Sequence, residues 1–259
     1  MLRLIVILIA LLIPVSSHAD AIDNALAQAG FIENVNPDLK TYQQECRRGL
    51  RPDDYVVEQH KGLIRIIRKP HTGLPQPEFS AGNIKYVSEN HGEFGGKLEA
   101  VWPDNHKKVL IKENISSIIQ AGEFLYVFTG SRHMGDEGAV YRISNFDTAP
   151  EVSRLTLLTG WSLPLLDSRF KEPAFIIITN ESFLSLNPGR GWLSIIDHHS
   201  LWEDLRSNSA VQLGNRILVG MSPGVAVVEF YNSYNLKSIK MFVPKDAEPG
   251  KSIIPGPVK

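Results

Sequence analysis

The chain predicts an all-β fold, a small β-propeller of about five blades with a short N-terminal helical segment, and three observations carry that expectation. A strand, a loop, a glycine and a second strand follow one another four times. The opening strands lie at 84–87, 124–128, 175–178 and 216–219, and the glycine-led strands at 96–101, 138–143, 191–196 and 224–228. Successive opening strands are 40 to 51 residues apart, which is the length a four-stranded blade takes. Helical patterning is confined almost wholly to the region before residue 60. A lone blade leaves both faces apolar, so blades must stack around an axis to bury them. The alternative is a β-sandwich, whose hairpins also recur at regular spacing.

In chain order, Arg3, the apolar run 4–13, the break at Pro14 and the small residues around Ser17 and Ala19 read as an export signal over 1–19. Ten apolar residues fall well short of the roughly 20 that a membrane-spanning helix needs. A helical lead-in follows over 20–60. Ala21, Leu26, Ala27 and Ala29 with Gly30 as a stop mark one helix, and Asn36-Pro37-Asp38 opens a second through Tyr42 to Gly49. Residues 53–57 and 62–67 read as the first strands, and Pro70, Gly73, Pro75 and Pro77 as a loop. The propeller-like domain is assigned 61–243. The glycines opening the second strands are expected as turn residues. Asp197 is expected to cap one inserted helical turn, and the Pro-rich tail 244–259 to be extended or mobile.

Composition narrows the function. Cleavage after Ala19 would remove only Arg3 from 27 Lys and Arg, against 28 Asp and Glu, leaving a net charge of −2. That balance carries no footprint for nucleic acid or an anionic membrane. Cys46 stands alone, so an intramolecular disulfide is impossible and packing must supply the stability. It is expected buried and inert; exposed, its neighbours Arg47 and Arg48 would make it reactive. Export without disulfides favours a bacterial periplasm. Two N-glycosylation patterns begin at Asn114 and Asn180, the first inside an apolar segment where a sugar would obstruct packing.

The densest chemistry lies in one inter-strand loop, Ser131 with Arg132, His133, Asp136 and Glu137. It offers a cation, an imidazole and two carboxylates, and loops carry function more often than the strands beside them. The equivalent loops hold Glu89, His91 and Glu93 in one unit, and Glu181 through Arg190 in another. In a propeller all three would meet on one rim, so Glu89, His91, Glu93, Arg132, His133, Asp136, Glu137, Glu181 and Arg190 are the binding-rim candidates. No metal-ligand spacing, nucleophile elbow or phosphate-binding glycine pattern is present. No catalytic residue, metal or cofactor is therefore assigned. Trp102, Trp161, Trp192 and Trp202 fall near strand ends, where one or two could line a rim patch. The expectation is an exported, non-catalytic protein-binding module of the bacterial envelope, of the inhibitor or immunity type. Its partner would be another protein, such as an envelope-degrading enzyme, with no nucleic acid and no membrane insertion. The alternative is a carbohydrate-active hydrolase or lyase drawing acid–base groups from His133, Asp136 and Glu137.

Overall fold

A computed structural model describes residues 18–35, 37–49, 53–131, 137–198, 205–232 and 234–245. Most of the expected signal segment lies outside the described residues, as do the segment after 245 and positions 199–204 of the expected helical turn. Helix α1 (His18–Gln28) stops at Gly30 (φ +75°), and strand β1 (Phe31–Asn34) follows. Helix α2 (Leu39–Arg47) is capped by Asp38, whose carboxylate accepts from the Thr41 amide at 3.1 Å. Strands β2 (Asp53–His60) and β3 (Leu63–Pro70) form a hairpin with both turn residues at positive φ, Lys61 at 51° and Gly62 at 80°. That is the turn whose twist matches paired strands. The 60/61 boundary of the expected domain division therefore falls inside a hairpin, and β1 and β2 belong to the sheets rather than to a helical lead-in.

Four antiparallel meanders follow. The first is β4 (Glu78–Ala81), β5 (Ile84–Asn90), β6 (Gly96–Val101) and β7 (Lys107–Ile111). The second is β8 (Ile115–Ala121), β9 (Phe124–Thr129), β10 (Glu137–Ser144) and β11 (Glu151–Thr159). The third is β12 (Leu163–Leu166), β13 (Phe175–Ile178), β14 (Phe183–Asn187) and β15 (Trp192–Asp197). The fourth is β16 (Ser209–Leu213), β17 (Arg216–Gly220), β18 (Val225–Phe230) and β19 (Leu236–Pro244), with β1 added antiparallel to β19. The protein is all-β with two short helices, and its strands make several separate antiparallel sheets rather than the two layers of a sandwich.

Side-chain alternation explains how the sheets associate. Along β9, Leu125 and Val127 join one core with the first sheet, while Tyr126 and Phe128 join another with the third. Along β13, Phe175 and Ile177 face the second sheet and Ile176 and Ile178 the fourth. On β18, Ala226, Val228 and Phe230 share the core of the third sheet, whereas Val225 and Val227 pack beneath α1 and the β2–β3 hairpin. Successive residues of a strand point to opposite faces, so each of these three strands feeds two cores. Helix α1 contributes Ile22 and Leu26, one turn apart, to the last of these. Helix α2 buries Tyr42 and Cys46 at the same spacing, so the lone thiol is inaccessible.

The structure revises three expectations. The strands taken to open each unit are second in their sheets, because β4, β8, β12 and β16 are short or polar enough to read as connectors. In the third unit, 183–187 is strand β14 rather than loop, with Phe183, Leu184, Ser185 and Leu186 all buried. Of the four strand-leading glycines only Gly191 (φ +64°) is a turn residue. A Cβ on Gly96, Gly138 or Gly224 would lie 2.6, 2.6 and 2.2 Å from the backbone oxygens of Glu89, Gly160 and Phe242. At those positions glycine permits close approach of two backbones.

A buried ion pair ties the third sheet to the fourth. The Asp167 carboxylate accepts from Arg169 Nε at 2.8 Å and Nη2 at 2.6 Å, and from Gln212 Nε2 of β16 at 2.9 Å. Burial pushes its pKa up, but the bonds from Arg169 and Gln212 together outweigh that and hold it below the usual 3.8. A carboxyl depressed in the folded state adds stability above its ordinary pKa and loses it as pH falls through the lower, folded value. Asp167→Asn should cost about 3 kcal/mol in urea unfolding at pH 7, since it strands a buried guanidinium. The difference between wild type and variant should shrink below pH 4, and a constant gap from pH 7 to pH 3 would contradict the assignment.

Candidate functional site

The loops joining the second and third strands of the sheets lie at one end of the molecule, where two clefts share a wall. One, of about 630 Å³, is lined by Arg47, His71, Glu93, Trp161, Asn180 and Arg206 among others. The other, of about 730 Å³, is lined by Glu93, Glu113, Ser131, Glu137, Arg154 and Leu157 among others. The wall between them is the single 3₁₀ turn Gly92–Phe94, closed by the His91 amide on the Gly95 carbonyl at 2.8 Å. Two buried asparagines hold that turn. Asn114 accepts from the His91 amide at 3.1 Å and donates to the Gly92 carbonyl at 2.5 Å. Asn90 donates to the Ile115 carbonyl at 2.6 Å and accepts from its amide at 2.7 Å. The pattern that resembled a glycosylation site at Asn114 is therefore structural.

The first cleft contains a pair the sequence reading passed over. Asp54 on β2 is buried and accepts from the Ser222 hydroxyl at 2.5 Å and from His71 Nδ1 at 2.8 Å. An ionised carboxylate only accepts, so the imidazole must carry its proton on Nδ1. With Nδ1 engaged by Asp54, Nε2 is the remaining ring nitrogen, and the ring forms part of the cleft wall. The signal was present in the positive-φ turn at 61–62. It sets Asp54 opposite Lys69, and the chain reaches His71 two residues later.

Arg206 is the second unusual group. It sits at φ +57°, a conformation that costs a non-glycine residue of order 1 kcal/mol or more. Its Nη2 donates to the Cys46 carbonyl at the end of α2, which anchors the guanidinium on the cleft wall. No described carboxylate forms an ion pair with it.

The second cleft holds Glu113, whose two oxygens accept from the hydroxyls of Thr129, at 2.5 Å, and Tyr141. Burial and then the adjacent carboxylate push the Tyr141 hydroxyl up to about 12, so it stays a donor at any ordinary pH. With both oxygens engaged, Glu113 joins β8–β10 rather than acting as a free base.

Of the rim candidates, the structure brings Glu93 and Glu137 onto one cleft. Glu89 and His91 lie beside that turn, His91 Nε2 being 3.9 Å from Glu89, which Lys97 holds at 3.2 Å. Glu181 is in the β13–β14 turn at the same end, next to Asn180 of the first cleft. Arg190 is not with them. It lies in the β14–β15 turn at the opposite end of that sheet, its guanidinium 5.4 Å from the centre of the Trp192 ring, on a separate cleft with Phe170 and Tyr234. Because β14 is a strand, the stretch from Glu181 to Arg190 spans both ends of the sheet. Arg132, His133 and Asp136 lie outside the described residues. Trp161 reaches the first cleft, whereas Trp102 packs against His106 elsewhere. No cluster of three or more potential metal-ligating side chains occurs among the described residues. No helix among them is long and apolar enough to cross a membrane.

No family model and no curated protein matches the chain. Among solved structures, the extracellular domain of a hybrid two-component system of B. thetaiotaomicron is similar over 71% of this chain, with 14% identity and a TM-score of 0.42. The chain spans 26% of that protein's length. At that level the likeness supports no conclusion about either fold or site.

Asn90→Ala should cost about 2–4 kcal/mol in equilibrium unfolding, because it leaves the buried Ile115 amide and carbonyl without their side-chain partners. A change under about 0.5 kcal/mol would show that the turn is held by other means.

Proposed function

We propose that the four meanders and the β2–β3 hairpin close into a ring, a small propeller with the hairpin as its incomplete unit. We further propose that the protein is exported to the bacterial envelope as a non-catalytic binding protein, recognising another protein of the kind an inhibitor or immunity protein engages. Serial face-to-face packing supports the ring, as does the contact of β12 with both β8 and β16, and of β16 with β2. The observation that carries the binding role is Phe94. It is 85% exposed at the apex of the turn between the clefts, on backbone braced by Asn90 and Asn114. An aromatic ring on a rigid, exposed turn is a low-entropy anchor for a partner surface. Glu93 and Glu137 beside it supply a charged surround.

Affinity capture from periplasmic extract should return one stoichiometric partner with the wild type. Phe94→Ala should weaken that complex at least tenfold with an unchanged melting curve. Failure to capture a stoichiometric protein over a range of salt concentrations, or equal capture by the variant, would overturn the reading.

The Asp54–His71 pair favours a second reading, a carbohydrate-active hydrolase or lyase. A histidine oriented by a buried aspartate, with its other nitrogen at a cleft, has the arrangement of a general base. On envelope polysaccharides and peptidoglycan, His71→Asn should then lose about 100-fold in turnover. Absence of turnover by the wild type removes this reading and leaves the first untouched.

A further inference from the structure

The first cleft carries both signs of charge, and the two do not meet. Among the described residues Glu93 has no hydrogen-bond or ion-pair partner, and the same holds for the side-chain amide of Asn180; both line the cleft. Arg206 donates to the neutral Cys46 carbonyl, and no carboxylate among the described residues pairs with its charge. His71 Nδ1 is committed to Asp54, and in the neutral imidazole Nε2 is an acceptor with no hydrogen-bond partner among the described residues. Arg47, also on the wall, is engaged with the rest of the chain and is left out of the argument. The guanidinium of Arg206, the side-chain amide of Asn180, the Glu93 carboxylate and the His71 ring therefore line a single space, together with the apolar side chains of Leu74, Ile178 and Trp161.

This combination selects by charge. A simple anion would gain Arg206 but meet Glu93, and a simple cation would face the reverse conflict. A ligand bearing separated positive and negative groups satisfies both. We propose that this cleft binds an α-ammonium carboxylate with an apolar side chain, a free amino acid or a short peptide. Its carboxylate lies on Arg206 and Asn180, and its ammonium group on Glu93 and His71 Nε2. Donor and acceptor chemistry agree at each contact: the guanidinium and amide donate to the carboxylate, and the ammonium donates to the Glu93 carboxylate and the imidazole nitrogen. The hydrocarbon side chain is left for Leu74, Ile178 and Trp161. A space of about 630 Å³ lies in the usual range of small-molecule sites and leaves room for more than one residue. This inference goes beyond the protein-recognition reading and survives its failure, since it rests on the inside of the cleft and not on Phe94.

Calorimetry on the full exported chain tests it with leucine, dileucine and trileucine, each also as its N-acetyl and C-amide form. At least one free ligand should bind, and either cap should weaken it about tenfold or more. Glu93→Gln should weaken the free ligand to a similar extent and abolish discrimination against the N-acetyl form while retaining discrimination against the C-amide. Arg206→Gln should do the converse. Glu93 lies on an exposed turn, so its variant decides the matter if Arg206→Gln unfolds, which melting curves will reveal. The proposal is overturned by absence of binding at millimolar ligand, by equal affinity for capped and free ligands, or by Glu93→Gln weakening free and acetylated ligands alike. Peptide binding by a chain that captures no protein partner would uphold this inference while ending the protein-recognition reading.

Discussion

The second, third and fourth four-stranded sheets have middle strands that are apolar on both faces, and the rest of the architecture answers to that constraint. Along β13 four consecutive residues, Phe175, Ile176, Ile177 and Ile178, are fully buried, yet alternate ones enter different cores. A sheet built this way needs a neighbour on each side. The last sheet obtains its second cover from the β2–β3 hairpin and α1, so the N-terminal segment completes the core rather than leading into it. β1 adds to the outer edge of β19 and pairs what would otherwise be an open edge.

Serial packing has a consequence for the clefts. Meanders stacked face to face point their second-to-third strand connections in the same direction, which gathers chemically rich segments from distant parts of the chain. Polar side chains then set the geometry that apolar burial leaves open. Asn90 and Asn114 fasten the Gly92–Phe94 turn to the start of β8, and Asp54 locks the orientation of His71. Hydrogen bonds from buried side chains to backbone groups are directional where hydrophobic contact is not, so they determine which atoms face the cleft. Arg206 extends the same logic by holding an unfavourable backbone conformation against the end of α2.

Much of the fold is legible in the chain because it depends on local pattern. The two helices, their stop at Gly30 and cap at Asp38, the β2–β3 hairpin and both inner strands of most sheets follow from alternation and turn chemistry. The weaker strands were hidden for a physical reason. Short segments such as 78–81 and 183–187 become strands only because a neighbouring strand pairs with them. The site was less legible still. Glu93 and Glu137 stood out as charged loop residues, but Asp54 resembles any polar residue opening a strand, and His71 any residue of a Pro- and Gly-rich connector. Their importance lies in the 2.8 Å between them, reached only when the hairpin closes and Ser222 approaches from 168 positions away.

The amino-acid order by itself determined that this is a β protein of recurring modules, stabilised without an intramolecular disulfide. Those properties depend on side-chain period, residue counts and turn preferences, all of which act over a few neighbouring positions. Tertiary structure alone decided which connections share a cleft, that Arg190 stands apart from Glu93, and that three strand-leading glycines serve close backbone contact rather than turning. Each of these depends on distances between segments far apart in the chain, and such distances exist only once the sheets have packed against one another.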